Sequence, residues 1–526
     1  MRQRRLALLR YLALALAALA APLATSAQAP AAPASDTAGD PIVKTTEGVL
    51  KGKAADGVAS FKGIPYAAPP VGALRWRPPQ PKAGWKGVRD ASKVGAVCEQ
   101  IYDAKDNGVG PLPMSEDCLT LNVWSPDVEA KTGKKPVMVW IHGGGHVNGS
   151  GTAALYDGTR LAKQGVVVVT LNYRLGRLGF FAHPALDKQH PGELKANYGL
   201  MDTLAALKWV KTNVARFGGD PGNVTIFGES AGGISVSYLM ITPSAKGLFH
   251  KAIMESGAGR EHGAALKGEA RFGINAAETT GAAFAKTAGI SDDKTAAAAL
   301  RALPAEVLMK ASPSSVDGGG PIIDGKLFLE DPEQAFAKGR QAKTPFLIGT
   351  NSLEFPSAPG ANKNFDASIA KVVVASRDAA IAVYGDEATY KDHLISDVLF
   401  TEPARYLAAK QAKLGAPVFL YRFSFMSDAI KGRMKGAVHA SERQYVFDTL
   451  GASPWPVGKQ DPLVAAQMSR YWTNFAKTGD PNGGDLPRWE GFGSHPGQLL
   501  DFGGGGTVFG PIPDLKVIDF IAGLSP

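Results

Sequence analysis

Cysteine is almost absent from this chain. Two cysteines in 526 residues exclude a small disulfide-packed module and any four-cysteine zinc or iron–sulfur site, while a single disulfide stays open. A strong excess of one charge is also lacking. The formal net charge of +9 includes Arg2, Arg4, Arg5 and Arg10, which lie in a stretch with the order of a removable leader; without them 53 basic residues stand against 48 acidic ones. No Lys/Arg-rich stripe interleaved with aromatics occurs, so no nucleic-acid partner is expected. Beyond the leader no apolar run is long enough to span a bilayer, so no stable membrane insertion is expected either. Apolar residues at 45% and charged residues at 20% exclude a disordered chain.

Glycine and proline are plentiful, at 62 and 36 residues, which favours tight turns and long shaped loops without a collagen-like triplet. The N-terminus runs from basic residues through a short apolar stretch to small residues at Ala27 and Ala29, the order of a secretory signal. A membrane anchor is the alternative, disfavoured by the shortness of the run after Arg10 and the Ala/Pro/Thr-rich stretch that follows. The expected organisation is a signal peptide over 1–29, a flexible Ala/Pro-rich segment over 30–41 and one domain over 42–526. With the sparse cysteines and alanine-rich composition, this points to a bacterial exported protein, periplasmic or extracellular. An oxidising compartment would permit a Cys98–Cys118 bond across 19 intervening residues; two separate thiols are the other reading.

Residues 137–141 and 166–171 are short apolar, β-branched-rich runs that predict buried strands. Residues 200–215 carry apolar side chains at near-helical spacing before Gly218-Gly219-Asp220-Pro221 stops them, and 224–227 predicts a further strand. This order implies an α/β fold with a mixed or parallel sheet covered by helices. The alanine-rich region over 264–305 predicts helices packed over the core.

Directly after the strand at 224–227 comes Gly228-Glu229-Ser230-Ala231-Gly232-Gly233. A G-x-S-x-G turn between strand and helix lets backbone pack closely at both glycines and projects the Ser230 hydroxyl outward, as a nucleophile requires. A serine capping a helix is the bland alternative. After the strand at 137–141 comes His142-Gly143-Gly144-Gly145-His146. Three glycines in a row are costly to order, and their amides, with that of Ala231, can receive the negative charge formed when Ser230 attacks a carbonyl. A phosphate-binding loop lacks its following Lys-Ser/Thr pair, and metal ligation by His142 and His146 lacks a third ligand at a recognisable spacing.

With Phe61-Lys62-Gly63-Ile64-Pro65-Tyr66, Ser115-Glu116-Asp117-Cys118-Leu119-Thr120-Leu121-Asn122, Asn172-Tyr173-Arg174-Leu175-Gly176 and Glu255-Ser256-Gly257, the chain resembles the type-B carboxylesterase and cholinesterase-like family of the α/β-hydrolases. The resemblance extends over almost the whole chain after the leader. It implies a central mixed, mostly parallel sheet flanked by helices, with large insertions forming an active-site gorge. It also implies a serine carboxylesterase that works on small-molecule esters through an acyl-enzyme, with no metal or organic cofactor. Glu354 falls at the family's acid position and His439 at its base position, completing a triad with Ser230. Gly144, Gly145 and Ala231 fall at the oxyanion hole, Glu229 beside the nucleophile as a possible substrate-pocket residue, and Cys98 and Cys118 at the first disulfide.

Four positions depart from the family pattern. Leu353 and Phe355 flank the acid where an acidic residue and glycine are frequent, Ala440 follows the histidine where glycine is common, and His146 stands where the glycine loop usually continues with an aromatic. His146 is thereby placed at the substrate pocket, whose shape and polarity these departures would alter. Between Cys98 and Cys118 the only aromatic is Tyr102, so the tryptophan that faces the quaternary ammonium in related cholinesterases has no counterpart there. Acetylcholine is therefore disfavoured. A lipase acting on aggregated lipid, a hydrolase of specialised plant, fungal or xenobiotic esters, and a non-catalytic binding protein remain alternatives.

Overall fold

The computed structural model describes residues 39–101, 113–291, 294–310, 320–356 and 377–524. The leader, most of the 30–41 segment and Tyr102 lie outside the described residues. The described residues from 39 onward form one compact unit.

Its frame is an eleven-stranded sheet. In chain order the strands are β1 (Lys53–Ala55), β2 (Val58–Pro65), β3 (Thr120–Ser125), β4 (Lys135–Ile141), β5 (Val167–Leu171) and β6 (Gly219–Glu229). They continue with β7 (Lys251–Glu255), β8 (Phe346–Asn351), β9 (Val418–Phe423), β10 (Gln498–Gly503) and β11 (Gly506–Pro511). Across the sheet the order is β11-β10-β9-β8-β7-β6-β4-β5-β3-β2-β1. The run from β5 to β10 is parallel throughout, and antiparallel pairs close both ends.

The centre is buried on both faces because apolar side chains predominate on both sides of its strands. Val137, Val139 and Ile141 of β4 enter one core, while Met138 and Trp140 enter the other, as the period of two demands. Helices α1 (Tyr198–Asn213), α2 (Ala231–Ile241) and α3 (Glu402–Lys413) cover the first face through residues such as Leu207, Val236 and Leu407. Helix α4 (Asp461–Thr478) covers the second with Val464, Met468, Trp472 and Phe475. Among the described residues no helix is long and apolar enough to cross a membrane.

The stop after α1 falls where the sequence puts it: Gly218 takes φ +78, a left-handed conformation that glycine adopts without steric cost. The alanine-rich region is only partly helical, which corrects the expectation for 264–305. Ala264–Ala265 instead pairs in parallel with Ile322–Ile323, and helices occupy Ala277–Thr287 and Ala296–Ala302. Gly268 at φ +95 and Gly273 at φ +79 interrupt the first part, since no helix passes through a left-handed residue.

Candidate active site

The candidate side chains converge at the C-terminal ends of adjacent parallel strands, where loops leave the sheet. Ser230 follows β6, the glycine loop follows β4, Ser256 follows β7, and Glu354 lies three residues past β8. His439 arrives on the long connection after β9.

Ser230 sits at φ 56, ψ −124, a strained setting for a side-chain-bearing residue. The strain is enforced from both sides. A Cβ on Gly228 would lie 2.6 Å from the carbonyl carbon of Gly232, and one on Gly232 would lie 2.0 Å from the Ile141 carbonyl oxygen. The Ser230 amide donates to the Glu255 carbonyl at 2.9 Å, tying the turn to β7. Ala231 opens α2, so its amide belongs to the first turn, which has no carbonyl partner within the helix.

His439 Nε2 lies 2.8 Å from Ser230 Oγ, and Nδ1 donates to Glu354 Oε2 at 2.7 Å. The other oxygen of Glu354 accepts from Ser256 Oγ at 2.6 Å and from the Asn351 amide at 2.7 Å. The His439 amide also donates to the Glu354 carbonyl at 2.8 Å, so acid and base are joined through backbone as well as side chains. Ala440 holds φ 65, which accounts for the glycine common at this position in the family. The three residues that the resemblance assigns to a triad are thus brought into one hydrogen-bonded chain.

A second layer of carboxylates surrounds the imidazole. Glu229 is 1% exposed, with Oε1 3.3 Å from His439 Nε2 and Oε2 4.0 Å from Arg443 Nε. Asn351 Nδ2 donates to Glu442 at 2.5 Å, and Trp472 Nε1 donates to Glu255 at 2.7 Å. Burial raises Glu255 well above the ordinary carboxyl range, with the Glu442 charge adding to it. Burial followed by the charges of Glu229 and Glu354 pushes Glu442 up to about 8. For His439 burial works downward, but the Glu229 charge, the hydrogen bond to Glu354 and the charges of Glu354 and Glu442 outweigh it. Its proton affinity is therefore above that of an ordinary imidazole.

The glycine loop packs directly against the nucleophile. A Cβ on Gly143 would meet the Glu229 carbonyl oxygen at 2.7 Å and Ser230 Cβ at 3.1 Å, while Gly144 and Gly145 take φ +99 and +59. His146 corrects the expectation that it lines the pocket. Its residue is 2% exposed, with Nε2 3.0 Å from Ser235 Oγ and the ring against Tyr173 and Phe180. Burial, with the nearby His142, holds it down to about 3, so it is a neutral brace behind the loop. His142 donates Nδ1–H to the Gly143 carbonyl at 2.8 Å and stacks on Tyr173. Among the described residues no group of three His, Cys, Asp or Glu side chains is arranged to hold one.

Cys98 and Cys118 form a disulfide. Sequence reasoning marks Glu255-Ser256-Gly257 as family-like without giving Ser256 a part, and it passes over Asn351, Glu442, Arg443 and Trp472. Ser256 and Asn351 carry only the signal of lying at strand ends, which becomes meaningful once the strand order is known, while Glu442, Arg443 and Trp472 lie well away from any strand.

A serine, histidine and glutamate in one hydrogen-bonded chain, on a largely parallel sheet with a strand-turn-helix nucleophile, define a serine hydrolase of the α/β-hydrolase fold. The chain belongs to the carboxylesterase family, whose model matches residues 39–509. It is a carboxylic-ester hydrolase. It is 37% identical over 505 residues to the fumonisin B1 esterase of Sphingopyxis macrogoltabida, covering 89% of this chain and 88% of that one. It is 39% identical over 466 residues to the para-nitrobenzyl esterase of Bacillus subtilis strain 168, covering 84% and 90%. Among solved structures a thermophilic PNB esterase superposes with a TM-score of 0.80 at 36% identity, covering 91% of this chain and 99% of that one.

Proposed function

We propose that this esterase is an exported enzyme that hydrolyses small soluble carboxylic esters in two steps through an acyl-Ser230 intermediate. The observation that carries the residue roles is the chain from Ser230 Oγ to His439 at 2.8 Å and on to Glu354 at 2.7 Å. Neutral His439 takes the Ser230 proton as Oγ attacks the acyl carbon. Glu354 fixes the imidazole so that Nε2 is the bare nitrogen, and it stabilises the imidazolium that forms. The amides of Gly144, Gly145 and Ala231 receive the tetrahedral oxyanion. His439 then protonates the departing alcohol, and in the second step it activates water against the acyl-enzyme.

Glu229 stands beside both Ser230 and His439, where its charge favours the imidazolium. Support for small soluble esters comes from the likeness to a para-nitrobenzyl esterase. Support for export comes from the order of the N-terminal sequence and from a disulfide, which persists in oxidising compartments.

Initial rates on soluble esters varied in acyl and alcohol size, measured for the mature protein and for Ser230→Ala, test this reading. Turnover confined to the parent protein is expected. Undiminished turnover by pure Ser230→Ala would overturn the nucleophile assignment.

A further inference from the structure

Phe355 follows the acid Glu354 directly, at a position where the family pattern has glycine, and the ester-cleaving steps described above give it no part. Its ring centroid lies 4.6 Å from that of His439, tilted by 31°. Phe400 lies 5.2 Å from His439 and 5.6 Å from Phe355. These three separations make a nearly equilateral triangle, so both phenyl rings lie on the same side of the imidazole. If they sandwiched it, their own separation would approach the sum of the other two.

The pair is built into the backbone. Phe400 belongs to a wide π-helical turn over Asp397–Thr401, between a helix at Glu387–Ser396 and α3. Pro403 at the start of α3 has no N–H to continue the ordinary ladder, and wide turns of this kind form where that ladder is interrupted. They recur at functional sites. Phe355 is tied to the same place by its amide, which donates to Ser396 Oγ at 3.2 Å. Phe400 is buried at 7% exposure while Phe355, packed against both Phe400 and His439, keeps 40% of its surface exposed.

His439 Nε2 is the atom that hands a proton to the departing alcohol, so what stands beside its ring meets the alcohol part of the ester. We infer that Phe355, backed by Phe400, is the specificity-determining wall of the alcohol side and selects esters of aryl-methyl and other flat apolar alcohols. This rests on the roles assigned to Ser230, His439 and Glu354. Aromatic stacking is worth more than its buried area alone, which corresponds to about a three- to tenfold gain in affinity for an aromatic alcohol.

The test compares benzyl acetate with ethyl acetate, and benzyl acetate with benzyl butyrate, for the parent, Phe355→Leu, Phe355→Ala and Phe355→Tyr. Stoichiometric labelling of Ser230 by a fluorophosphonate sets the concentration of folded sites for each. Phe355→Leu keeps most of the volume and remains informative if Phe355→Ala does not fold. The expected result is a KM for benzyl acetate raised about three- to tenfold in Phe355→Leu with kcat held, because a binding wall acts alike on ground and transition states. Ethyl acetate stays within about twofold of the parent, the butyrate-to-acetate ratio does not move, and Phe355→Tyr recovers the parent pattern. Equal losses on benzyl and ethyl acetate, or a shift confined to the acyl series, overturn the inference. Turnover surviving in Ser230→Ala would instead overturn the underlying catalytic assignment, which separates the two failures.

Discussion

Ser256 donates its hydroxyl hydrogen to Oε1 of Glu354 at 2.6 Å, leaving Oε2 to hold His439. Both residues are almost wholly buried, so a lost donor cannot be replaced by bulk water. Hydrogen bonds to charged groups are worth about 1.5–3 kcal/mol, and only part of that is expressed when the imidazolium forms. Ser256→Ala is therefore expected to lower kcat about tenfold with little change in KM. Steady-state kinetics normalised by active-site titration check this, and an unchanged kcat would remove Ser256 from the positioning network.

The acidic surroundings of His439 set the direction of its pH dependence. A general base must be neutral, and Glu229 and Glu354 favour the protonated form over burial's opposing pull. The rate kcat/KM on a non-ionising ester should rise with pH through an inflection alkaline of the ordinary imidazole value of 6.5. Glu229→Gln removes the largest of the charges that raise it and should move that inflection to lower pH. A limb that stays in place in the variant would show that Glu229 does not bias the base.

Gly232 faces the Ile141 carbonyl so closely that a methyl group would sit 2.0 Å from its oxygen. Backbone on both sides leaves nothing flexible to move. Gly232→Ala is expected to cost at least about 3 kcal/mol and to leave little soluble active protein. Gly192→Ala, where nothing lies within 4 Å, serves as the control and should retain parent activity and melting temperature. Comparable melting temperatures for the two variants would refute the crowding argument.

The Cys98–Cys118 disulfide spans a sequence separation of 20 residues. Closing a loop of that length restricts the unfolded chain by about 3 kcal/mol in the chain-entropy description. Paired Cys98→Ser and Cys118→Ser substitutions should lower the free energy of unfolding by about that amount in a denaturant titration. Reductant should destabilise the parent and leave the double variant unaffected.

Much of the frame was legible in the chain because its signals are local. The short apolar, β-branched-rich runs at 137–141 and 166–171 fit strands covered on both faces. Gly218 ends its helix by conformation alone, and the glycines around Ser230 announce a turn with no room for side chains. Glu354 was different: one of 48 acidic residues, it carries no local mark of its role, and only resemblance singled it out.

The sequence by itself determined the strand-turn-helix nucleophile, the glycine loop and the sheet's apolar centre, since each depends on neighbours a few residues apart. Tertiary structure alone decided which carboxylates gather around His439, because Glu229, Glu354 and Glu442 come from separate segments of the chain that meet only in the folded sheet and its loops. It also turned His146 inward. The pocket beside Tyr173, Phe180 and Ser235 is completed by chain far from the glycine loop, and an uncharged imidazole fills it. Phe355 and Phe400 come together for the same reason. The π-helical turn before Pro403 carries one ring to the other across 45 residues of sequence, and only their meeting makes a wall beside the base.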